Sequence, residues 1–217
     1  VAQRHADWGD ALAGSLRQRL LAGTPPPGGR DGLSSLLGGL MSSPAVQGLV
    51  ADVLTTVTTA QVHPETRQGA LSAMAQHAPK NPPESWSRAL SALLEAPSAS
   101  NQPEALSSVL RAARTLNGQP ALREALLKFA RAQALPAPLR LSAFAALPGG
   151  WSANDTDLAF LLTGLRDRQG SAAEALSKAA LEPHHLDQVA GALPEIGPLE
   201  LNRVLPAFER QPSANAG

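Results

Sequence analysis

The fold is decided by a pattern that two neighbouring stretches show most clearly, PETRQGALSAMA (64–75) and PESWSRALSALL (83–94). Each stretch begins with proline, and the first turn of a helix is the one helical position that favours proline. Apolar residues then recur at helical spacing, as Trp86, Leu90, Leu93 and Leu94 do in the second stretch. This spacing is typical of a helix with one buried face.

The same pattern recurs along most of the chain. Prolines begin six successive predicted helices at intervals of 17–20 residues: Pro44, Pro64, Pro83, Pro103, Pro120 and Pro138. Further helices are predicted over 5–22, 31–42, 171–181, 183–193 and 198–209. Pro206 is expected to kink or break the last of them. Ser152 or Asn154 is expected to cap one more helix, which carries Leu158, Leu161, Leu162 and Leu165. On the apolar stripes that flank one boundary between helices, Leu126, Leu127 and Phe144 are all expected to be largely buried.

Helices of this length joined by short connections predict an all-α fold. The near-constant interval favours an α-solenoid of about six antiparallel helical hairpins, a HEAT- or armadillo-like superhelix. The competing interpretation is one irregular helical bundle. We expect residues 1–210 to form a single superhelical repeat domain, followed by a polar tail, 211–217, that frays.

Composition excludes several classes of function. The 217 residues include one Ile, no Tyr and no Cys, which argues against sheet folds, disulfides, thiol catalysis and thiolate metal sites. The 18 basic and 18 acidic residues cancel, so nucleic acid is not expected as a partner. No apolar run approaches the roughly 20 residues of a membrane span, so membrane insertion is not expected either.

The helices also resemble a known family. The stretches PETRQGALSAMA (64–75) and PLRLSAFAAL (138–147) resemble the second helix of HEAT-like repeats, where proline starts the helix and arginine lies off the core stripe. The order of the segments resembles the helical-repeat region of large secreted haem-binding proteins of planctomycetes and verrucomicrobia. The stretch GPLELNRVLPAFE (197–209) is the most specific part of this likeness.

In that family the region links an N-terminal dehydrogenase-like β-propeller to a C-terminal cytochrome c domain. The resemblance therefore implies a periplasmic or other extracytoplasmic location and a parent protein that is an oxidoreductase. This segment would be its non-catalytic scaffold, bound to neighbouring domains of the parent chain or to another protein. The family's Cys-x-x-Cys-His haem motif is absent here, so haem binding does not carry over to any residue.

One local cluster has residue types that bind metals, namely Glu182, His184 and His185. Adjacent histidines on a helix point about 100° apart, which favours an ordinary helix start over a metal site. No nucleophile elbow or phosphate-binding loop is present. We therefore assign no catalytic, cofactor-binding or metal-binding residue, and we expect the purified chain to carry neither haem nor stoichiometric metal.

Charge is unevenly distributed. A basic docking patch is predicted from six residues in the middle of the chain: Arg111, Arg114, Arg123, Lys128, Arg131 and Arg140. Such a patch would steer binding to an acidic partner. The alternatives are a solvated surface without a partner and, for the chain as a whole, a stand-alone helical-repeat enzyme or nucleic-acid-binding protein.

Overall fold

The computed structural model describes residues 7–26, 28–56, 62–95, 103–116 and 119–209, and these residues are mostly helical. The helices are α1 (Asp7–Leu20), α2 (Gly29–Gly39), α3 (Pro44–Thr55), α4 (Pro64–His77), α5 (Glu84–Glu95), α6 (Pro103–Ala113), α7 (Pro120–Arg131), α8 (Ala137–Ala146), α9 (Asp155–Arg166), α10 (Gly170–Lys178), α11 (Pro183–Ala192), α12 (Pro198–Val204) and α13 (Pro206–Glu209). Two short strands, β1 (Trp151–Ser152) and β2 (Ala179–Ala180), follow α8 and α10. The predicted tail, 211–217, lies outside the described residues.

The helix starts agree with the proline pattern. Proline is the first residue of α3, α4, α6 and α7, and Pro83 directly precedes α5. Asn154 caps α9 by accepting a hydrogen bond from the Asp157 backbone N–H (2.8 Å), as expected of asparagine at this position. At Pro206 the predicted break is confirmed, because α12 ends at Val204 and α13 begins at Pro206.

The contacts divide the chain into two compact units, Val1–Ala125 and Leu126–Gly217. In the first unit, helices separated by one intervening helix pack side by side: α1 on α3, α3 on α5, α2 on α4, and α4 on α6. Ser43 at the start of α3 donates to Asp10 near the start of α1 (2.5 Å). Arg17 and Asp52 form an ion pair near the ends of the same two helices. The two helices therefore run in the same direction.

The alternate helices of the first unit also pack closely against each other. A Cβ atom added at Gly9 of α1 would lie 2.3 Å from the Cβ of Ser43, so only glycine allows the two helices to approach this closely here. Trp86 at the start of α5 is fully buried, and its Nε1–H donates to the Gln47 carbonyl near the start of α3 (2.8 Å). The predicted core position of Trp86 is thus confirmed.

The second unit repeats the same relation between alternate helices. Here α8 packs on α10, α9 on α11, and α10 on α12. Where α8 and α10 end, β1 and β2 pair in parallel, with Trp151 opposite Ala179. The buried Trp151 ring stacks on Phe144 with the ring centroids 5.1 Å apart.

The predicted core stripe near residue 126 needs one correction. Leu126 and Phe144 are buried, with 1% and 0% of their surface exposed, but Leu127 is only half-buried. Consecutive helical residues point about 100° apart, so Leu127 lies at the edge of the stripe that Leu126 occupies.

Among the described residues, the structure contains no helix that combines the length and the apolar character of a membrane span.

Candidate functional site

Three side chains with metal-binding and proton-binding chemistry meet at the starts of α9 and α11. Asp155 is the first residue of α9, and His184 and His185 are the second and third residues of α11. Asn154 fixes the start of α9, and Pro183 fixes the start of α11. Because α11 packs on α9, the first turns of the two helices face each other.

Both histidines contact one carboxylate oxygen. The Nε2 atom of His185 lies 3.0 Å from Asp155 Oδ1, and the Nε2 atom of His184 lies 3.3 Å from the same oxygen. The two imidazole centroids are 4.0 Å apart. His184 also places its Nδ1 atom 3.4 Å from Glu182 Oε2.

The proton positions follow from the hydrogen bonds. The Glu182 backbone N–H donates to Nδ1 of His185 (3.3 Å), so a neutral His185 ring carries its proton on Nε2 and donates it to Asp155. The hydrogen bonds from His185 and then His184 hold the pKa of Asp155 below its ordinary value. Asp155 is therefore an anion in contact with two imidazole nitrogens.

Burial differs sharply within the cluster. The His185 side chain is 3% exposed, whereas the His184 and Asp155 side chains are 52% and 80% exposed. One ligand-type side chain is consequently held by the protein interior while the other two are open to solvent. In the part of the chain that the structure describes, this is the one group of three His, Cys, Asp or Glu side chains whose ligand atoms lie within 4.8 Å of one another.

The sequence predicted that adjacent histidines would diverge, yet both ring Nε2 atoms reach Asp155. The side chains bend toward a common acceptor because the carboxylate comes from another helix rather than from α11. Asp155 lies 29 residues before His184 and carries no local signal of this contact. The contact between Asp155 and the histidines could have been predicted only from the knowledge that alternate helices pack side by side with their starts together.

The predicted basic patch falls in both compact units. In the first unit, Arg111, Arg114 and Arg123 are exposed. Arg111 lies on the wall of a polar depression of about 160 Å³ formed along α2, α4 and α6. Arg30 and Asp31 lie on another part of this wall and pair with each other at 3.0 Å.

In the second unit, two of the predicted patch residues, Arg131 and Arg140, make contacts that stabilise the fold. Arg131 donates to the buried Asp157 carboxylate through Nη2 (2.7 Å) and Nε (3.2 Å). Arg140 is half-buried over the Phe160 ring (4.0 Å to its centroid) and donates to the Ala130 carbonyl (2.9 Å).

The exposed Lys128 completes the predicted set. Arg111, Arg114, Arg123 and Lys128 are exposed, whereas the guanidinium of Arg131 faces a buried carboxylate. Comparison with protein-family models, with curated proteins and with solved structures finds no match to this chain.

Proposed function

We propose that this chain is a non-catalytic helical-repeat scaffold, an α-solenoid of antiparallel hairpins that binds neighbouring domains or another protein. The observation that carries the proposal is the side-by-side packing of alternate helices in each unit. In stacked helical repeats each hairpin buries its apolar face against the next hairpin, so equivalent helices of successive repeats pack together.

Two rows of helices in the first unit fit this scheme. One row contains α1, α3 and α5, and the other contains α2, α4 and α6. Contacts between the rows, α3 with α4 and α5 with α6, join the helices that would form one hairpin. The starts of α1 and α3 contact each other, and so do their ends. This parallel alignment is expected of equivalent helices in successive repeats that have the same orientation.

Apolar side chains that are exposed on α1, on α12 and just after α12 support the binding of a partner at these helices. Among the described residues, the large hydrophobic side chains that remain exposed are Trp8 and Leu12 on α1, Leu199 on α12, and Leu205 beyond it. Leu199 is 74% exposed. Outer repeats of a solenoid carry a polar face when they border water, so apolar outer helices favour coverage by neighbouring domains.

The choice of such neighbours rests on the resemblance of the sequence to the haem-binding proteins. We propose that the neighbouring domains belong to an extracytoplasmic oxidoreductase with a β-propeller and a cytochrome c domain. The scaffold itself would carry no covalently attached c-type haem, since the chain has no cysteine. Arg111, Arg114 and Arg123 would attract an acidic face of one neighbour, because complementary charge accelerates and orients association.

The complete reading frame is the first test. Propeller strands and a Cys-x-x-Cys-His motif in the same frame would support the scaffold. A short frame that starts near Val1 would favour the alternative, a stand-alone helical-repeat enzyme or nucleic-acid-binding protein.

Binding of the flanking domains is the second test. Each domain is titrated calorimetrically into this chain and into a variant with Arg111, Arg114 and Arg123 changed to Glu. The matched control changes Arg19, Lys80 and Arg88 to Glu, three exposed residues of the first unit that carry the same total charge. We expect the patch variant to weaken binding about tenfold and the control to weaken it less than about threefold. Equal effects of the two variants, or no binding of any flanking domain, would overturn the proposal.

A further inference from the structure

We propose that Asp155, His184 and His185 form a binding site for one divalent transition-metal ion of the zinc type. The site lies within the second compact unit, and the proposal does not depend on the scaffold function. It departs from the expectation, drawn from the sequence, that the chain carries no stoichiometric metal. A metal titration decides between the proposed site and that expectation.

The distances between the ligand atoms suit a small ion. Zinc binds histidine nitrogen and carboxylate oxygen at about 2.0–2.2 Å, so neighbouring ligand atoms of a tetrahedral site lie about 3.3 Å apart. Asp155 Oδ1 already lies 3.0 Å from one Nε2 atom and 3.3 Å from the other. The three ligand atoms could therefore surround an ion after small side-chain rotations.

The ligand types select the class of metal. Two imidazoles and one carboxylate favour zinc, cobalt or nickel over calcium and magnesium, which prefer all-oxygen sites. Three protein ligands leave at least one position for water, as in zinc sites that are not purely structural. The exposure of the His184 and Asp155 side chains, 52% and 80%, gives that position access to solvent.

The site is partly preorganised. The His185 ring is buried and its Nε2 atom already faces Asp155, so only the two exposed ligands have to adjust. The carboxylates of Asp155 and Glu182 supply negative charge beside the ion. This charge offsets the positive ends of the two helix dipoles that start here.

Metal binding would move one proton within the His185 ring and replace the hydrogen bonds that the two Nε2 atoms make with Asp155. The ion takes the Nε2 lone pair of His185, so the ring carries its proton on Nδ1 instead. The Glu182 N–H then loses its 3.3 Å hydrogen bond to that atom. In all, three hydrogen bonds are lost, and three bonds to the metal ion replace them.

The test uses the purified full chain after tag removal and treatment with a chelator. Zn²⁺ is titrated calorimetrically, and Co²⁺ is titrated by visible absorption, because its spectrum reports the coordination geometry. We expect about one equivalent of either ion per chain. A Co²⁺ spectrum of a four- or five-coordinate site with nitrogen and oxygen ligands is expected as well.

Three variants make the assignment specific. His184→Gln and Asp155→Asn each remove a ligand at an exposed position, and we expect each to weaken Zn²⁺ binding at least about tenfold. His63→Asn is the matched control, because it also removes an imidazole from a helix start and asparagine can replace the cap. Circular dichroism verifies that all three variants remain folded.

Two results would overturn the proposal. One is the absence of Zn²⁺ and Co²⁺ binding at concentrations up to about 1 mM, where even weak sites fill. The other is binding that His184→Gln and Asp155→Asn leave unchanged, since the ion would then occupy other residues.

Discussion

Replacing Arg131 with methionine should destabilise the second unit, because it removes the cation that faces a buried carboxylate. Asp157 is 4% exposed and accepts from Arg131 Nη2 at 2.7 Å and from Nε at 3.2 Å. The carboxylate also accepts from the Asn154 backbone N–H (3.3 Å) as part of the cap of α9. Methionine keeps most of the aliphatic stem of Arg131, so the change tests the charge and the hydrogen bonds.

The expected loss of unfolding free energy follows from how deeply the two side chains of the pair are buried. Breaking a fully buried ion pair costs about 3–5 kcal/mol. Arg131 itself is 40% exposed, so water partly screens the pair and can reach the orphaned carboxylate. The loss of hydrogen bonds to a charged group then sets the scale at about 2 kcal/mol. With a urea slope of about 2 kcal/mol per M, the midpoint of unfolding should fall by roughly 1 M.

The assay is urea unfolding followed by the fluorescence of Trp151, which is buried in the second unit. Trp8 and Trp86 of the first unit are changed to phenylalanine so that only Trp151 reports. Lys128→Met is the matched control, because Lys128 is an exposed cation of the same helix, and its midpoint should move by less than about 0.3 M.

A double-mutant cycle with Asp157→Asn completes this test. Asparagine removes the buried charge, so Arg131→Met should cost at least about 1 kcal/mol less in that background. A loss below about 0.5 kcal/mol for Arg131→Met in the wild-type background, or no coupling to Asp157, would refute the assignment of the pair as a stabilising contact.

Three further predictions concern packing and capping, and urea unfolding monitored by circular dichroism checks each of them. Gly48→Ala should stabilise the chain by about 0.5–1 kcal/mol, because a Cβ there meets nothing within 4 Å and alanine favours the helix. Gly69→Ala should instead destabilise it by about 1–3 kcal/mol, since its Cβ would lie 2.9 Å from a methyl group of a buried leucine. Equal effects at the two glycines would contradict the packing of α2 on α4. Leu126→Ala should cost about 2–5 kcal/mol and Leu127→Ala clearly less, because only Leu126 is fully buried; the reverse order would mean that the stripe is misplaced. Ser43→Ala should cost about 1–2 kcal/mol through the lost cap of α3 and the lost contact with α1, and a neutral result would show that neither contact contributes to stability.

The sequence predicted helices well because their signals are local. Proline at a helix start and apolar residues at helical spacing act within one segment, and they located α3 at 44–54 where the structure has Pro44–Thr55. The start of α2 was less accurate, at residue 31 rather than Gly29. There Gly28, with φ of +75°, provides the left-handed turn that lets the helix begin earlier.

The contacts between helices could not be predicted in the same way. The ion pair of Arg131 with Asp157 and the meeting of Asp155 with two histidines join residues 26 to 30 positions apart. No periodic pattern links such residues, since each obeys only the signals of its own helix. Arg131 therefore counted as part of a surface patch, although its partner is a buried carboxylate.

The pairing of alternate helices has a consequence for how the chain folds. Its cross-helix hydrogen bonds span similar, short sequence separations, such as 33 residues from Asp10 to Ser43, 39 from Gln47 to Trp86, and 33 from Ala145 to Lys178. Each of these contacts closes a loop of similar length, so the loop entropy lost is similar from one contact to the next. During synthesis, each helix can dock soon after it leaves the ribosome, onto a partner made some forty residues earlier. Folding would then advance from the N-terminus by successive docking steps, without waiting for the chain to be completed.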